Sequence, residues 1–393
     1  MAELAQCHLL SPIVAAIQCR NLAVKKITMI LKAKETMTAK ERVLRTFHRE
    51  KTDRVTIGYE TNAAIHLRLA QALGIPDGNH ELVNQALGVD YRGVGARYTG
   101  PALFKPLPDR LINELEGCYM RWIEHQTGGY WDYCDYPLAN ASDEALLNFP
   151  VPNPDHFDYA AVGAQLSRHQ DYAVYLGGPG VPDIINSNGR IMGMEDVLVH
   201  LLTNHEAALN FIDRRINMHL AVLERTLEKY PGKIDFLWLG EDLGTQHAPM
   251  ISLELYRQLF RPRHQKFIDL AKAYQIPVMI HTCGSSSWAY EDFIEMGMTG
   301  VDTLQPEATN MSPRYLKEHF GGRLAFRGCI STAGPLAYGS VADTVKHVVE
   351  TLEIMMDGYG YHFAPTHQIQ DNSPTENVIA MYQAAHEFGV YHS

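Results

Sequence analysis

Alternation constrains this chain more than any other feature. Eight short apolar runs lie at 54–60, 91–97, 173–176, 234–240, 277–282, 301–305, 323–329 and 360–364. Helical spacing fills most of the intervals: 62–73, 79–88, 191–203, 205–229, 252–274, 286–296, 312–320, 341–356 and 375–388. Parallel strands need a crossover between them, usually a helix, so this alternation reads as βαβ units and a parallel sheet. Eight units predict an α/β chain folded as a single (β/α)8 TIM barrel. A doubly wound open sheet is the structural alternative. No G-x-G-x-x-G follows the first run, so a dinucleotide site has no support.

The interval 98–172 is too long for a simple connection after the second strand. It holds an aromatic block with Trp122, Tyr130, Trp131, Tyr133 and Tyr136. Thr127-Gly128-Gly129 is expected to turn a hairpin in that block. An insertion there lies over the catalytic face of a barrel and can form a lid; the alternative is an ordinary packed hairpin whose aromatics are its own small core.

Residues 1–36 read as a separate N-terminal extension, peripheral to a barrel spanning 37–393. The apolar stretch 9–17 is interrupted by Pro12 and lacks the basic start of a secretory signal. Thr38 with Glu41 three residues on fits a capping box, which makes Met37 a natural beginning.

Charge excludes two classes of partner. Lys and Arg number 34 against 45 Asp and Glu, a formal charge of −11 with no basic cluster. Neither nucleic acid nor an anionic membrane surface suits that balance. Six irregularly spaced cysteines make no disulfide framework, and a reducing cytoplasm is expected. No apolar run approaches the ~18 residues needed to span a bilayer.

The chemistry of a barrel gathers at the C-terminal ends of its strands. The fifth run ends in His281 and Cys283, which share one side of an extended chain, and Gly284 follows. The seventh ends in Cys329. One imidazole and two thiolates make a zinc ligand set with an open position; the alternative is two core cysteines and a structural histidine. Glu241 and Asp242, at the end of the fourth strand, are the candidate catalytic carboxylates, with Glu241 able to fill the open position or to orient its strand end. Asn62, Gln305 and His367, beyond the first, sixth and eighth strands, are expected to face substrate.

These residues also carry a resemblance. His281-x-Cys283-Gly284 with Cys329 is similar to the zinc motif of cobamide-dependent methyltransferases in the uroporphyrinogen decarboxylase superfamily. The tail from His367 through Gln370-Asp371-Asn372-Ser373-Pro374 to Met381-Tyr382 resembles the C-terminal signature of that superfamily, and Glu41-Arg42-Val43-Leu44 with Asp53-Arg54-Val55 its opening. The resemblance implies a single barrel and zinc-dependent methyl transfer between a corrinoid cobalt and a thiol, ether or pterin. The chain has no D-x-H-x-x-G pattern, so a methylcobamide is expected on a separate corrinoid carrier protein. True decarboxylases of the superfamily hold a polycarboxylate with an Arg-rich loop after the first strand. Here that place reads Tyr59-Glu60-Thr61-Asn62. The other readings are such a decarboxylase, or a non-catalytic zinc-binding barrel that docks to a corrinoid protein.

Overall fold

A computed structural model describes residues 29–125 and 128–392. Eight parallel strands form one curled sheet. We number them in chain order: β1 Thr56–Ile57, β2 Tyr91–Gly93, β3 Ala173–Pro182, β4 Phe236–Gly240, β5 Val278–Thr282, β6 Gly300–Thr303, β7 Ala325–Ile330 and β8 Tyr361–Pro365. From β2 to β8 each pairs with its sequence neighbour, and β1 pairs with β8. Between β1 and β2 a single residue spans the seam. Asp90 donates its amide to Ile57 O (3.0 Å), and its carboxylate accepts from Ile57 N (2.7 Å). The sheet is the barrel that the alternation predicts, and each of the eight expected runs overlaps one of its strands.

Alternation along the strands separates two apolar layers. Phe236, Trp238, Met279 and Ala325 point inward, where they meet Val43 and Phe47 from the helix Ala39–Phe47. That helix plugs the N-terminal end of the barrel, with Phe47 5.1 Å from Phe236 and 4.7 Å from His362 between ring centres. Thr38 caps it by accepting from Glu41 N, as the Thr38/Glu41 spacing predicts. Leu237, Leu239, Val278, Ile280, Val301 and Phe326 point outward against the surrounding helices.

Three local departures have clear causes. The second run pairs in the barrel only as far as Gly93; Arg97–Tyr98 leaves to pair antiparallel with Phe157–Asp158. The helix expected over 191–203 is broken at Gly193, whose φ of +93° lies outside helical space, so the chain forms Ile184–Met192 and Met194–Leu202. The stretch 252–274 is helical throughout but carries a π turn at Tyr256–Phe260, ahead of Pro262.

Residues 1–28 lie outside the described residues. The rest of the expected extension is tied to the barrel. Ile30 is buried, Leu31 N donates to Gln383, and Glu35 pairs with the buried Arg54 at 2.6 Å. No helix among the described residues is long and apolar enough to cross a membrane. The four described cysteines are free thiols.

Candidate metal centre

One layer of the barrel is polar. Strand register sets Asp302 between His281 and Arg327, and Arg327 beside His362. Barrel interiors are ordinarily filled by branched apolar side chains, so this ring needs partners, and it has them. Arg327 Nη1 donates to Asp302 Oδ1 (2.5 Å), Nε to Tyr91 OH (2.6 Å) and Nη2 to Glu60 (3.1 Å), and its guanidinium lies 4.6 Å from the Trp238 ring. The other Asp302 oxygen faces His281 Nδ1 at 2.9 Å, and the Thr303 hydroxyl lies 2.7 Å from the same nitrogen. Burial works against charge on Asp302, yet Arg327 and His281 bring its pKa down to about 2. Burial also opposes an imidazolium on His281, but Asp302 and then Cys283 hold its pKa well above the ordinary value. With Nδ1–H engaged by Asp302, Nε2 is left facing Cys283 Sγ, 3.4 Å away.

The loop carrying Cys283 is held by its amides. Cys283 N donates to Asp242 Oδ1 (2.9 Å), Gly284 N to Gln305 Oε1 (2.7 Å) and Ser285 N to Thr245 O (2.8 Å). Two glycines let the loop lie this close to the β4 loop. A Cβ on Gly284, where φ is +70°, would fall 2.1 Å from Gly244 O, and one on Gly244 would fall 2.4 Å from Ser285 N. Burial pushes the Cys283 thiol up to about 11 despite His281 beside it.

The third donor arrives from β8. His367 stands just past Tyr361–Pro365, half-buried, with its ring centre 5.9 Å from that of His281. Metal-binding atoms of His281, Cys283 and His367 all lie within 4.8 Å of one another. His367, expected to face substrate, thus joins the two leading ligand candidates. Cys329 does not. Gly328 (φ +116°) and Cys329 (φ +66°) break the strand's alternation, and the thiol is buried in the outer apolar layer with Tyr290 and Tyr361.

The remaining candidates divide. Asp242 reaches the cluster, with Oδ1 3.8 Å from His281 Nε2 and Oδ2 accepting from Asn186 Nδ2 (2.7 Å). Glu241 points elsewhere. It is fully buried and accepts from Ile184 N (2.8 Å) and Ile185 N (3.0 Å), at the start of the helix Ile184–Met192, with His264 Nε2 3.3 Å away. It orients a strand end, and burial pushes its pKa up to about 8 against those two donors. Gln305 holds the Cys283 loop, and the Asn62 side chain caps the helix Ala63–Ala72. Asp302, Thr303 and Arg327 were not among the candidates. Their signal lies in the register between neighbouring strands, which spacing along one strand does not carry.

The insertion forms a three-stranded antiparallel sheet from Leu111–Asn113, Cys118–His125 and Gly128–Cys134. Its root is fixed on the β3–β4 side, where Glu116 pairs with Arg190 (3.1 Å) and Tyr133 lies under the Arg190 guanidinium (4.6 Å). Its tip lies on the β8–β1 side: His125 Nε2 is 3.4 Å from Asp371 Oδ2, and a Cβ on Gly128 would meet Ala64 and Asp371 at 3.3 Å. The sheet therefore crosses the mouth, as expected of a lid. Trp122 and Trp131 are paired residues on the face that bears Cys118 and Tyr133, whereas His125 and Gly128, which meet Asp371 and Ala64 at the tip, lie on the opposite face.

Among known proteins, no curated sequence matches the chain. A solved structure described as a methyltransferase from Methanosarcina mazei shares the fold at 18% identity and a TM-score of 0.62, over 90% of this chain and 99% of that one. The family model described as uroporphyrinogen decarboxylase (URO-D) matches residues 187–388, just over half of the 393. That span takes in β4 to β8 and the loops that carry His281, Cys283 and His367, and the chain belongs to the uroporphyrinogen decarboxylase family.

Proposed function

We propose that the protein is a zinc-dependent methyltransferase, moving a methyl group between a corrinoid on a separate carrier protein and a thiol, ether or pterin. The observation that carries this reading is the convergence of two imidazoles and a thiol at the strand ends of a URO-D barrel. The structural likeness to a methyltransferase from Methanosarcina mazei supports it.

The donor set fits zinc. Ligand distances of about 2.1 Å to nitrogen and 2.3 Å to sulfur in a tetrahedral site put the two atoms roughly 3.6 Å apart. His281 Nε2 and Cys283 Sγ are 3.4 Å apart. The carboxylate on the far nitrogen of His281 is the usual outer partner of a zinc-bound imidazole. Three protein donors leave a position for substrate, whereas a structural zinc site is closed by four. Zinc there supplies either a substrate thiolate at neutral pH or a Lewis acid for an ether oxygen.

The chain's own residues do the rest. Asp302 fixes the ring of His281, and Asp242, Gln305 and Thr245 fix the loop of Cys283. With sulfur as acceptor, its lone pair forms the new C–S bond and the cobalt–carbon pair stays on cobalt.

A decarboxylase of a polycarboxylate would need uncommitted guanidinium groups at the mouth. Arg327 is already shared by Asp302, Glu60 and Tyr91, and Arg68 Nη2 is spent on the carbonyls of Asp371 and Ser373. The test is a pair of assays on one preparation. Methylcobalamin should be demethylated with a thiol present, and this should stop when zinc is chelated. Carbon dioxide release from uroporphyrinogen that survives chelation would overturn the reading.

A further inference from the structure

The two imidazoles of the cluster are held differently. The His281 ring is fixed by Asp302 and Thr303, at 2.9 and 2.7 Å. The half-buried His367 ring makes no hydrogen bond among the described residues. A metal-bound imidazole ordinarily donates its second nitrogen to an outer partner. Without one, the place of the His367 ring is set by the segment that carries it.

That segment, 366–374, joins β8 to the helix Thr375–Phe388. It is tied at three points. Thr366 N donates to Ile330 O, Ile369 N to Glu60 O with Asn62 N returning to Ile369 O, and the Arg68 guanidinium to the carbonyls of Asp371 and Ser373. His367 lies in the arc before Ile369 and Asp371 in the arc after it. Ile369 is fully buried, and a packed residue transmits displacement, so movement of one arc is felt in the other.

The hairpin lands on the second arc. His125 Nε2 is 3.4 Å from Asp371 Oδ2, and Gly128 is seated against the same oxygen, where a Cβ would meet it at 3.3 Å. The root is held separately, by Arg190. Between root and tip Arg121, Trp122, Tyr130 and Trp131 are exposed. The hairpin is thus a strap pinned at both ends, and its far pin stands on the segment that carries His367.

We propose that the hairpin tip positions His367: His125 and Gly128, seated on Asp371, hold the 366–374 segment where its imidazole reaches the metal, and metal on His367 in turn holds the tip down. Such coupling is reciprocal, so each event favours the other by the same factor. The inference rests on the metal centre and not on methyl transfer.

The experiment uses the full chain and zinc alone. Amide hydrogen exchange in 118–125 and 128–134 is followed with and without zinc, and zinc affinity is measured by competition with a chelator. In the wild type zinc should slow exchange in these strands about 5-fold. His125→Ala removes the tip pair and Gly128→Val lifts the tip, and neither residue is one of the three donors. Each should lower zinc affinity by about the same 5-fold and abolish the slowing, with the far-ultraviolet dichroism unchanged. His125→Lys keeps a cation opposite Asp371 and should recover part of both effects. Unaltered affinity in the alanine and valine variants, or slowing that persists in them, overturns the proposal. Zinc bound to the wild type with no change in hairpin exchange also overturns it and leaves the metal centre standing. Absence of zinc binding by the wild type overturns both.

Discussion

Asp302 lies 2.9 Å from His281, with its second oxygen 2.5 Å from Arg327, so one buried carboxylate orients the imidazole and neutralises the guanidinium. Asp302→Asn keeps the shape and removes the charge. Zinc affinity is expected to fall by about 10- to 100-fold, as loss of an outer partner does. Stability should fall by roughly 3 kcal/mol, because Arg327 stays buried with less compensation. Competition against a chromogenic chelator and denaturant unfolding read the two effects separately.

The ligand set makes a second prediction. Alanine at His281, Cys283 or His367 should each remove most of the zinc, while Cys329→Ala should retain it. Elemental analysis of the four purified variants decides. Loss of metal from Cys329→Ala with retention in His367→Ala would mean that the turn at Gly328 and Cys329 re-aims when metal binds.

A chain beginning at Met37 lacks the buried Ile30 and the Glu35–Arg54 pair. Those contacts are worth about 2 kcal/mol together, so the melting temperature should drop by roughly 3 °C. An unchanged melting curve would show that 29–36 contributes nothing to stability.

Glu241 makes a pH prediction. Its folded pKa of about 8 lies above the ~4.3 of an unfolded chain. Between those values the folded state holds a proton that the unfolded state has released, so its contribution is complete below pH ~4.3 and is lost as pH rises towards 8. Glu241→Gln has no such proton, and its stability should vary less over that interval. Thermal melts from pH 5 to 8 test it; parallel curves for the two proteins would contradict the assignment.

The barrel was legible because strand burial is periodic. Val278 to His281 alternates outward and inward, and that pattern is written in residue types. His281 and Cys283 were legible for the same reason, as they end an apolar run two residues apart. Cys329 follows the same pattern in sequence, but the positive φ at Gly328 and Cys329 turns its thiol outward. His367 comes from a loop, where no periodicity says which way a side chain points. Asp302 required the register between β5 and β6, which is set by the closed sheet.

Gly244 and Gly284 each occupy the space that a side chain on the other's loop would need. The Cys283 thiol is therefore placed by two missing methyl groups as much as by hydrogen bonds. Loss of a candidate ligand would leave this fold intact. Gain of a single carbon at either glycine would displace the thiol before any metal arrived. In divergence from a common ancestor the two positions have to travel together, and a homologue that has lost one glycine should be searched for a different metal, or for none.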